Sequence, residues 1–586
     1  MTSTTICLKD AGFSSTLDRL SALLRPGITA LEAWTFDDLK TRRAIEAALA
    51  EKGITAIIRS AYKPLVHAVL EEVDLDGVAA AELRYPVHPL APENRFRLEA
   101  YPLAALIAPR PLTFSARTDG SLQYELVLTH HDGSTQTVTV LAPNREHQDL
   151  AGQMNLSPCG WVKLNGDAAG APFETPYEAM FAQALDAVSS HDWGVAEPWF
   201  EELNLAVRLP ANDQPLAHAH EVMSLAEAMH EDLYFSLLEF FQMKSGRPQG
   251  DRGLKPGQIV PEVLGGQEGY HLRIELRPLA TQTPPAAVHS PAEQDLVQAA
   301  APLSPAQISA ELARVGGEAF SASSRAGRKV EARYRKGTDV PVMISAGQHA
   351  NETTGVVGAL RAGQVLAARD GAHFTLSPQE NPDGYALHQR LIADNPLHMH
   401  HAARYTALGD DLEYRRPETA GHLLLEKAIR IEAEARTGAQ LHVNLHGYPS
   451  HEWTRPLSGY VPRHFAMWTL PKGFFLILRY LEGWERQAED LMDRVTRHLA
   501  AIPGLLEENA RQIALYEAHA GETGFRMVNG FPCLCSVDAR HTVPVTLITE
   551  YPDETIYGPD FITGHTAQME TVLSAYDAWQ QIMAVG

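Results

Sequence analysis

The stretch VPVMISAGQHANETTG, Val340 to Gly355, constrains this chain more than any other. Apolar residues suited to a short strand run into a tight loop carrying His349 and Glu352, and helix-forming sequence begins at Thr353. A strand ending in a glycine-bearing loop at the start of a helix is where open α/β sheets place their sites. An imidazole and a carboxylate from one turn of backbone are what a catalytic divalent metal needs from one side. The spacing alone decides little, because His218-Ala219-His220-Glu221 repeats H-x-x-E elsewhere.

The rest of the second half has the same grammar. Ser304-Pro305 reads as an N-cap with proline in the first turn, opening a helix through about Val315. A hairpin is expected from Lys329 to Ala346 with Lys336-Gly337-Thr338 at its turn, then a helix from Thr353 to Arg369 and a strand from His373 to Leu376. Strands follow at Gln440 to Leu445 and Val543 to Ile548, with long helical segments between about Ala466 and Tyr516. Alternation of this kind predicts an α/β fold, a parallel or mixed sheet covered by helices on both faces.

A chain of 586 residues exceeds one ordinary core. Residues 1–278 mix helical and strand patterns and read as an α+β domain of unassigned role. Within it Leu122 to Thr129 and Thr135 to Leu141 form a hairpin through Asp132-Gly133, and Val222 to Phe241 reads as an amphipathic helix. That helix has an apolar stripe wide enough for a dimer seam, so a homo-oligomer built through this region is allowed. His218, His220, Glu221, His230 and Glu231 offer ligands there, but a polar helix face shows such residues anyway. Residues 279–304, rich in Pro and Ala, read as a linker, and 305–586 as the second domain.

Composition narrows the partners. Lys and Arg total 49 against 72 Asp and Glu, a net charge of −23, which repels nucleic acid and anionic membrane. No apolar run approaches the roughly 18 residues of a membrane span, and the N-terminal residues lack signal-peptide features, so a cytoplasmic protein is expected. Cys7, Cys159, Cys533 and Cys535 are too few and scattered for a disulfide framework. Small molecules or peptides remain as substrates.

Four strands of the second half end in residues suited to metal-assisted hydrolysis. After Val340 to Ala346 come His349 and Glu352; after His373 to Leu376 comes the turn-rich SPQENPDGY. After Gln440 to Leu445 comes His446-Gly447-Tyr448, and after Val543 to Thr549 comes Glu550-Tyr551-Pro552-Asp553. Two imidazoles and one carboxylate leave a tetrahedral zinc one open position for water, and a second carboxylate can take that water's proton. His442 lies on the same strand face as His446 and rivals it as a ligand.

HANETTG, NPDGY, LHGY and the late Glu550 together resemble the zinc carboxypeptidase superfamily of metallopeptidases, with its aspartoacylase and succinylglutamate desuccinylase branch, over about residues 305–586. The resemblance implies that His349, Glu352 and His446 bind one zinc ion and that Glu550 is general base and then general acid. It also implies a twisted mixed sheet with helices on both sides. The family's supporting aspartate falls on Asp411 within GDDLEYR, where it would accept the other ring proton of His349. The asparagine and arginine with which the family grips a substrate carboxylate fall on Glu413 and Tyr414, one residue short of Arg415. Arg404, then Arg390, are the candidates to stabilise the oxyanion, and Arg415, Tyr448 and Asn381 to touch substrate. These readings describe a zinc metallopeptidase or amidohydrolase, a protease-like hydrolase of a small peptide or amino-acid derivative. The alternatives are an aspartoacylase-like deacylase of N-acyl amino acids, whose cleft needs a basic group, and an inactive peptide-binding module of the same fold.

Overall fold

A computed structural model of the chain describes residues 5–279, 293–463 and 465–585. The second half is built on a nine-stranded sheet whose strands, in chain order, are β1 (Glu318–Ser323), β2 (Lys329–Arg335), β3 (Val342–Ala346), β4 (Phe374–Ser377), β5 (Leu441–Pro449), β6 (Phe475–Tyr480), β7 (Arg526–Val528), β8 (Phe531–Val537) and β9 (Val545–Glu554). Their spatial order is β1-β2-β4-β3-β5-β9-β6-β8-β7. The central four, β4, β3, β5 and β9, run parallel, while β2 and β6 flank them antiparallel, so the sheet is mixed.

Alternation along the central strands separates the two faces. Val342, Ile344, Leu441, Val443, Leu445, Val545 and Leu547 join one large core with the helices Pro305–Val315, Thr354–Ala367, Glu485–Leu499 and Pro559–Val585. Met343 points the other way and packs on Ile429 and Ala433 of the helix Ala428–Thr437. Helices thus cover both faces, and the residues that alternate away from the large core, His446 on β5 and Glu550 on β9, share the second face. They are register partners on adjacent strands.

Three expectations fail. β2 pairs with β1 and β4, not with β3, so the Lys329 to Ala346 hairpin does not form and Lys336-Gly337-Thr338 is a crossover. The span from Ala466 to Tyr516, expected to be helical, contains β6, an interior strand. The helix Leu225–Lys244 is not amphipathic: its charged Glu227, Glu231, Asp232 and Glu239 are buried along with its apolar residues, so no free stripe remains for a dimer seam.

The first half holds three four-stranded sheets, one of them carrying the Gln123–His130 and Thr135–Leu141 hairpin. Of the Pro and Ala-rich stretch read as a linker, residues 280–292 lie outside the described residues. Its end is packed, with Leu296, Ala299 and Leu303 in the large core of the second half. The two halves also share a core: Phe235, Leu238 and Phe241 cluster with Leu387, Tyr405, Trp453 and Phe465. Among the described residues no helix is long and apolar enough to cross a membrane, and all four cysteines are free.

Candidate metal centre

The loop after β3 is held at both ends. Asp553, at the end of β9, accepts hydrogen bonds from the Thr354 amide at 2.9 Å and the Thr354 hydroxyl at 2.6 Å, capping the Thr354–Ala367 helix. Asn351 donates to Glu554 at 2.7 Å. The loop that carries His349 and Glu352 is therefore clipped to the strand that carries Glu550. Gly447 makes the fit between β5 and β9 tight, since a Cβ there would lie 2.0 Å from Asp553 Oδ1 and 2.8 Å from the Tyr551 carbonyl.

His349, Glu352 and His446 converge. His349 Nδ1 is 2.8 Å from Glu352 Oε1, and His446 Nδ1 is 3.0 Å from both His349 Nδ1 and Glu352 Oε2. All three side chains are buried. The His349 Nε2 edge faces Asp411 Oδ2 at 3.4 Å, and Asp411 Oδ1 accepts from Gln348 at 2.9 Å. A proton on Nε2 leaves the Nδ1 lone pair free to meet that of His446. Two nitrogen lone pairs and a carboxylate meeting in a buried space repel one another unless a cation lies among them, and this donor set suits a divalent ion with a position left open. Among the described residues no other group of three or more His, Cys, Asp or Glu gathers in this way. His218, His220, Glu221, His230 and Glu231 are not brought together, and His442 bonds Ser345 at 2.7 Å instead.

Charge follows position. Burial works to raise the Glu352 pKa, but His349, Arg404 and His446 outweigh it and hold the carboxylate well below its ordinary value. Asp411 is likewise held low, burial being overcome by His349 and then by Arg252 and Arg404. Glu550 goes the other way: burial, then the Glu352 charge, push it well above the carboxylate range, and its Oε2 is buried without a hydrogen-bond partner. Arg404 donates to Glu352 Oε1 at 2.7 Å. His349, Arg404, Asp411, His446 and Glu550 border a pocket of about 200 Å³ whose walls include Tyr448, Trp453, Phe465, Trp468 and Ile477.

Other expected contacts fall elsewhere. Arg415 is fully buried in ion pairs with Asp410 at 2.5 Å and Glu426 at 2.6 Å, away from the pocket. Asn381 caps the helix Pro382–Asp394, accepting from Gly384 N and donating to the Tyr405 carbonyl, so it shapes the backbone beside Arg404 and does not line this pocket. Arg390, the second arginine considered for the oxyanion, is paired with Glu202 and Glu262. Tyr448 borders the pocket with its ring, while its hydroxyl donates to the Gly473 carbonyl.

No model of a known protein family matches the sequence, and no curated protein does. Solved metallo-carboxypeptidases are among the chain's structural neighbours. The metallo-carboxypeptidase of Pseudomonas aeruginosa is 17% identical, over 53% of this chain and 75% of that one, with a TM-score of 0.29. For the metallo-carboxypeptidase of Burkholderia cenocepacia the values are 16%, 53%, 76% and 0.29. A candidate metallopeptidase of Shewanella denitrificans OS217 is 15% identical over 46% of this chain and 86% of its own, with a TM-score of 0.29.

Sequence reading missed several residues at and around the site, Arg252 and Lys472 among them. Arg252, from the first half, lines the pocket, and nothing near it in sequence marks it. Lys472 is buried among the rings of Tyr448, Trp468, Phe475 and Tyr516 at 4.8 to 5.5 Å. Burial lowers its pKa to about 7 against the opposing charge of Glu550. Its place just before the apolar run of β6 was the available signal.

Proposed function

We propose that this chain is a zinc-dependent hydrolase that cleaves an amide or peptide bond in a small peptide or amino-acid derivative. The observation that carries the reading is the meeting of two imidazole Nδ1 atoms and the Glu352 carboxylate beside the unpartnered, buried Glu550. His349, Glu352 and His446 would hold the ion. When bound, zinc polarises a carbonyl and brings the pKa of a coordinated water towards roughly 7. Glu550 takes the attacking water's proton on its unpartnered Oε2 and passes it to the leaving amine. Arg404, pinned to Glu352, offers its remaining donors to the oxyanion. The aromatic walls exclude water and take an apolar side chain.

A deacylase acting on N-acyl amino acids is the second reading, favoured by Arg252 on the pocket wall. A binding module with no turnover would have no use for an unpaired buried Glu550. The test uses zinc-loaded protein against a library of peptides and N-acyl amino acids. Turnover that chelation abolishes and zinc restores is expected. Glu550→Gln should keep its zinc and lose about 10²- to 10⁴-fold in kcat; near-normal turnover in that variant removes Glu550 as the base.

A further inference from the structure

The segment that in the resembling family carries a substrate-gripping arginine has none available here. Arg415 is saturated by Asp410 and Glu426, and Tyr414 stands in the pocket wall. On the faces of the Tyr414 ring lie two guanidinium groups from elsewhere, Arg252 at 5.5 Å and Arg540 at 5.0 Å. Arg540 is occupied by a forked pairing with Asp538, Arg404 by Glu352, and Arg479 by Ser536.

Arg252 differs. It comes from the first half, on a loop zipped to the second half where Asp411 N donates to the Arg252 carbonyl at 3.1 Å and Gly257 N to the Leu408 carbonyl at 3.0 Å. Its guanidinium lies over both Tyr414 and Phe465, the latter at 5.0 Å. Its nearest acid, Asp411, is 3.6 Å away, beyond hydrogen-bond reach, and among the described residues no side-chain hydrogen bond engages it. The side chain is 27% exposed and lines the pocket. A guanidinium fixed between aromatic faces with its fork unused is built to receive a carboxylate in bidentate fashion.

Its position suits the chemistry. Arg252 lines the same pocket as His349, His446 and Glu550, so a carboxylate on a substrate held over those residues meets the guanidinium inside one cavity. We infer that Arg252 is the specificity-determining residue of the pocket, receiving a carboxylate of the substrate, so that the N-terminal half sets what the metal centre acts on. The inference rests on the hydrolase reading for the word substrate. The carboxylate is a main-chain terminus or an acidic side chain.

The test measures equilibrium binding to zinc-loaded protein carrying Glu550→Gln, so that no probe is consumed. The probes are N-acetyl-Phe-Phe, its C-terminal amide, and N-acetyl-Phe-Glu with its main-chain terminus amidated. At least one acid is expected to bind about tenfold or more tighter than the uncharged amide, and which one identifies the source of the carboxylate. Adding Arg252→Ala should abolish the preference and leave amide binding unchanged, while Arg252→Lys should keep part of it. If the alanine variant does not fold, Arg252→Gln replaces it. No acid preference, or one that survives loss of the guanidinium, overturns the inference. Parallel turnover assays with Glu550 intact separate the two readings: Arg252-dependent binding without cleavage of any probe would remove the hydrolase and leave the carboxylate receptor.

Discussion

His349 takes its orientation from Asp411, a carboxylate 62 positions further along the chain. Asp411→Asn keeps the shape but weakens the grip on the Nε2 proton, so the Nδ1 lone pair is no longer fixed towards the ion. Zinc affinity should fall about 10- to 100-fold, read by chelator competition, with the folded structure retained; unchanged affinity would make Asp411 a partner of Gln348 and Arg252 only. A second carboxylate bears on stability. Asp232, on the Leu225–Lys244 helix, accepts hydrogen bonds from Leu457 N and Ser458, yet its burial outweighs these and Arg455 and raises its pKa to about 7. Between about pH 4 and pH 7 the folded chain then holds a proton there that the unfolded chain has released. Its contribution to stability is full below pH 4, is lost as pH rises to about 7, and is flat beyond. Relative to Asp232→Asn, which cannot titrate, the wild type should lose on the order of a few kcal/mol across that window in denaturant melts. A constant difference would mean that Arg455 keeps Asp232 ionised throughout. At this scale His349, Glu352, His446, Asp411 and Glu550 were legible because each follows a strand or falls in a segment with local pattern. Arg252 was not, since its partners Asp411, Tyr414 and Phe465 all lie in the other half of the chain and a lone arginine in a loop has no local signature.

Between elements, the helices Thr354–Ala367 and Pro559–Val585 cross at Gly358. A Cβ there would stand 2.5 Å from Gln568 Cβ and 3.0 Å from the Met569 amide nitrogen. Gly358→Ala should destabilise the chain by about 1–3 kcal/mol in denaturant unfolding, because overpacking exceeds the roughly 1 kcal/mol that alanine gains inside a helix. Stabilisation would show that the helices can part. This contact matters to the site, as the first helix begins at the loop of His349 and Glu352 and the second carries Gln568, which donates to the His446 carbonyl at 2.8 Å. The strands β3, β4, β5 and β9 were readable as short apolar runs before polar loops. β6 was not: Leu476 and Leu478 fill the large core while Phe475 and Ile477 pack beside Tyr448, so a strand buried on both faces has no alternation to read. The false hairpin has the same origin, since a turn signal such as Lys336-Gly337-Thr338 does not say which strand comes back to pair.

At the scale of the molecule, the halves are joined by a shared core. The polar residues that made the Leu225–Lys244 helix look amphipathic are engaged across the junction: Arg455 donates to Glu239 at 2.7 Å, His451 pairs with Glu227 at 2.8 Å, and His401 hydrogen-bonds Glu231. Lys63 of the first half pairs with Glu452 of the second. Such partners, 170 to 389 positions apart, leave no trace in a local window. Removing one member of a buried pair costs about 3–5 kcal/mol, because the other charge stays buried and unpaired. A fragment of residues 293–586 would strand Arg455, His451 and Glu452, and would bare the faces of Trp453, Leu457 and Phe465 that now meet Phe235 and Leu238. That loss approaches or exceeds the roughly 5–15 kcal/mol of net stability that a folded protein has. The fragment should therefore be insoluble, or collapsed and dye-binding without zinc affinity, while the full chain unfolds calorimetrically in a single transition. The pocket makes the same point from the side of chemistry, since its Trp453 wall is positioned by this junction and Arg252 would be absent altogether. A fragment that folds, binds zinc and melts cooperatively on its own would show that the first half is an accessory, and the shared core merely a contact between two independent domains.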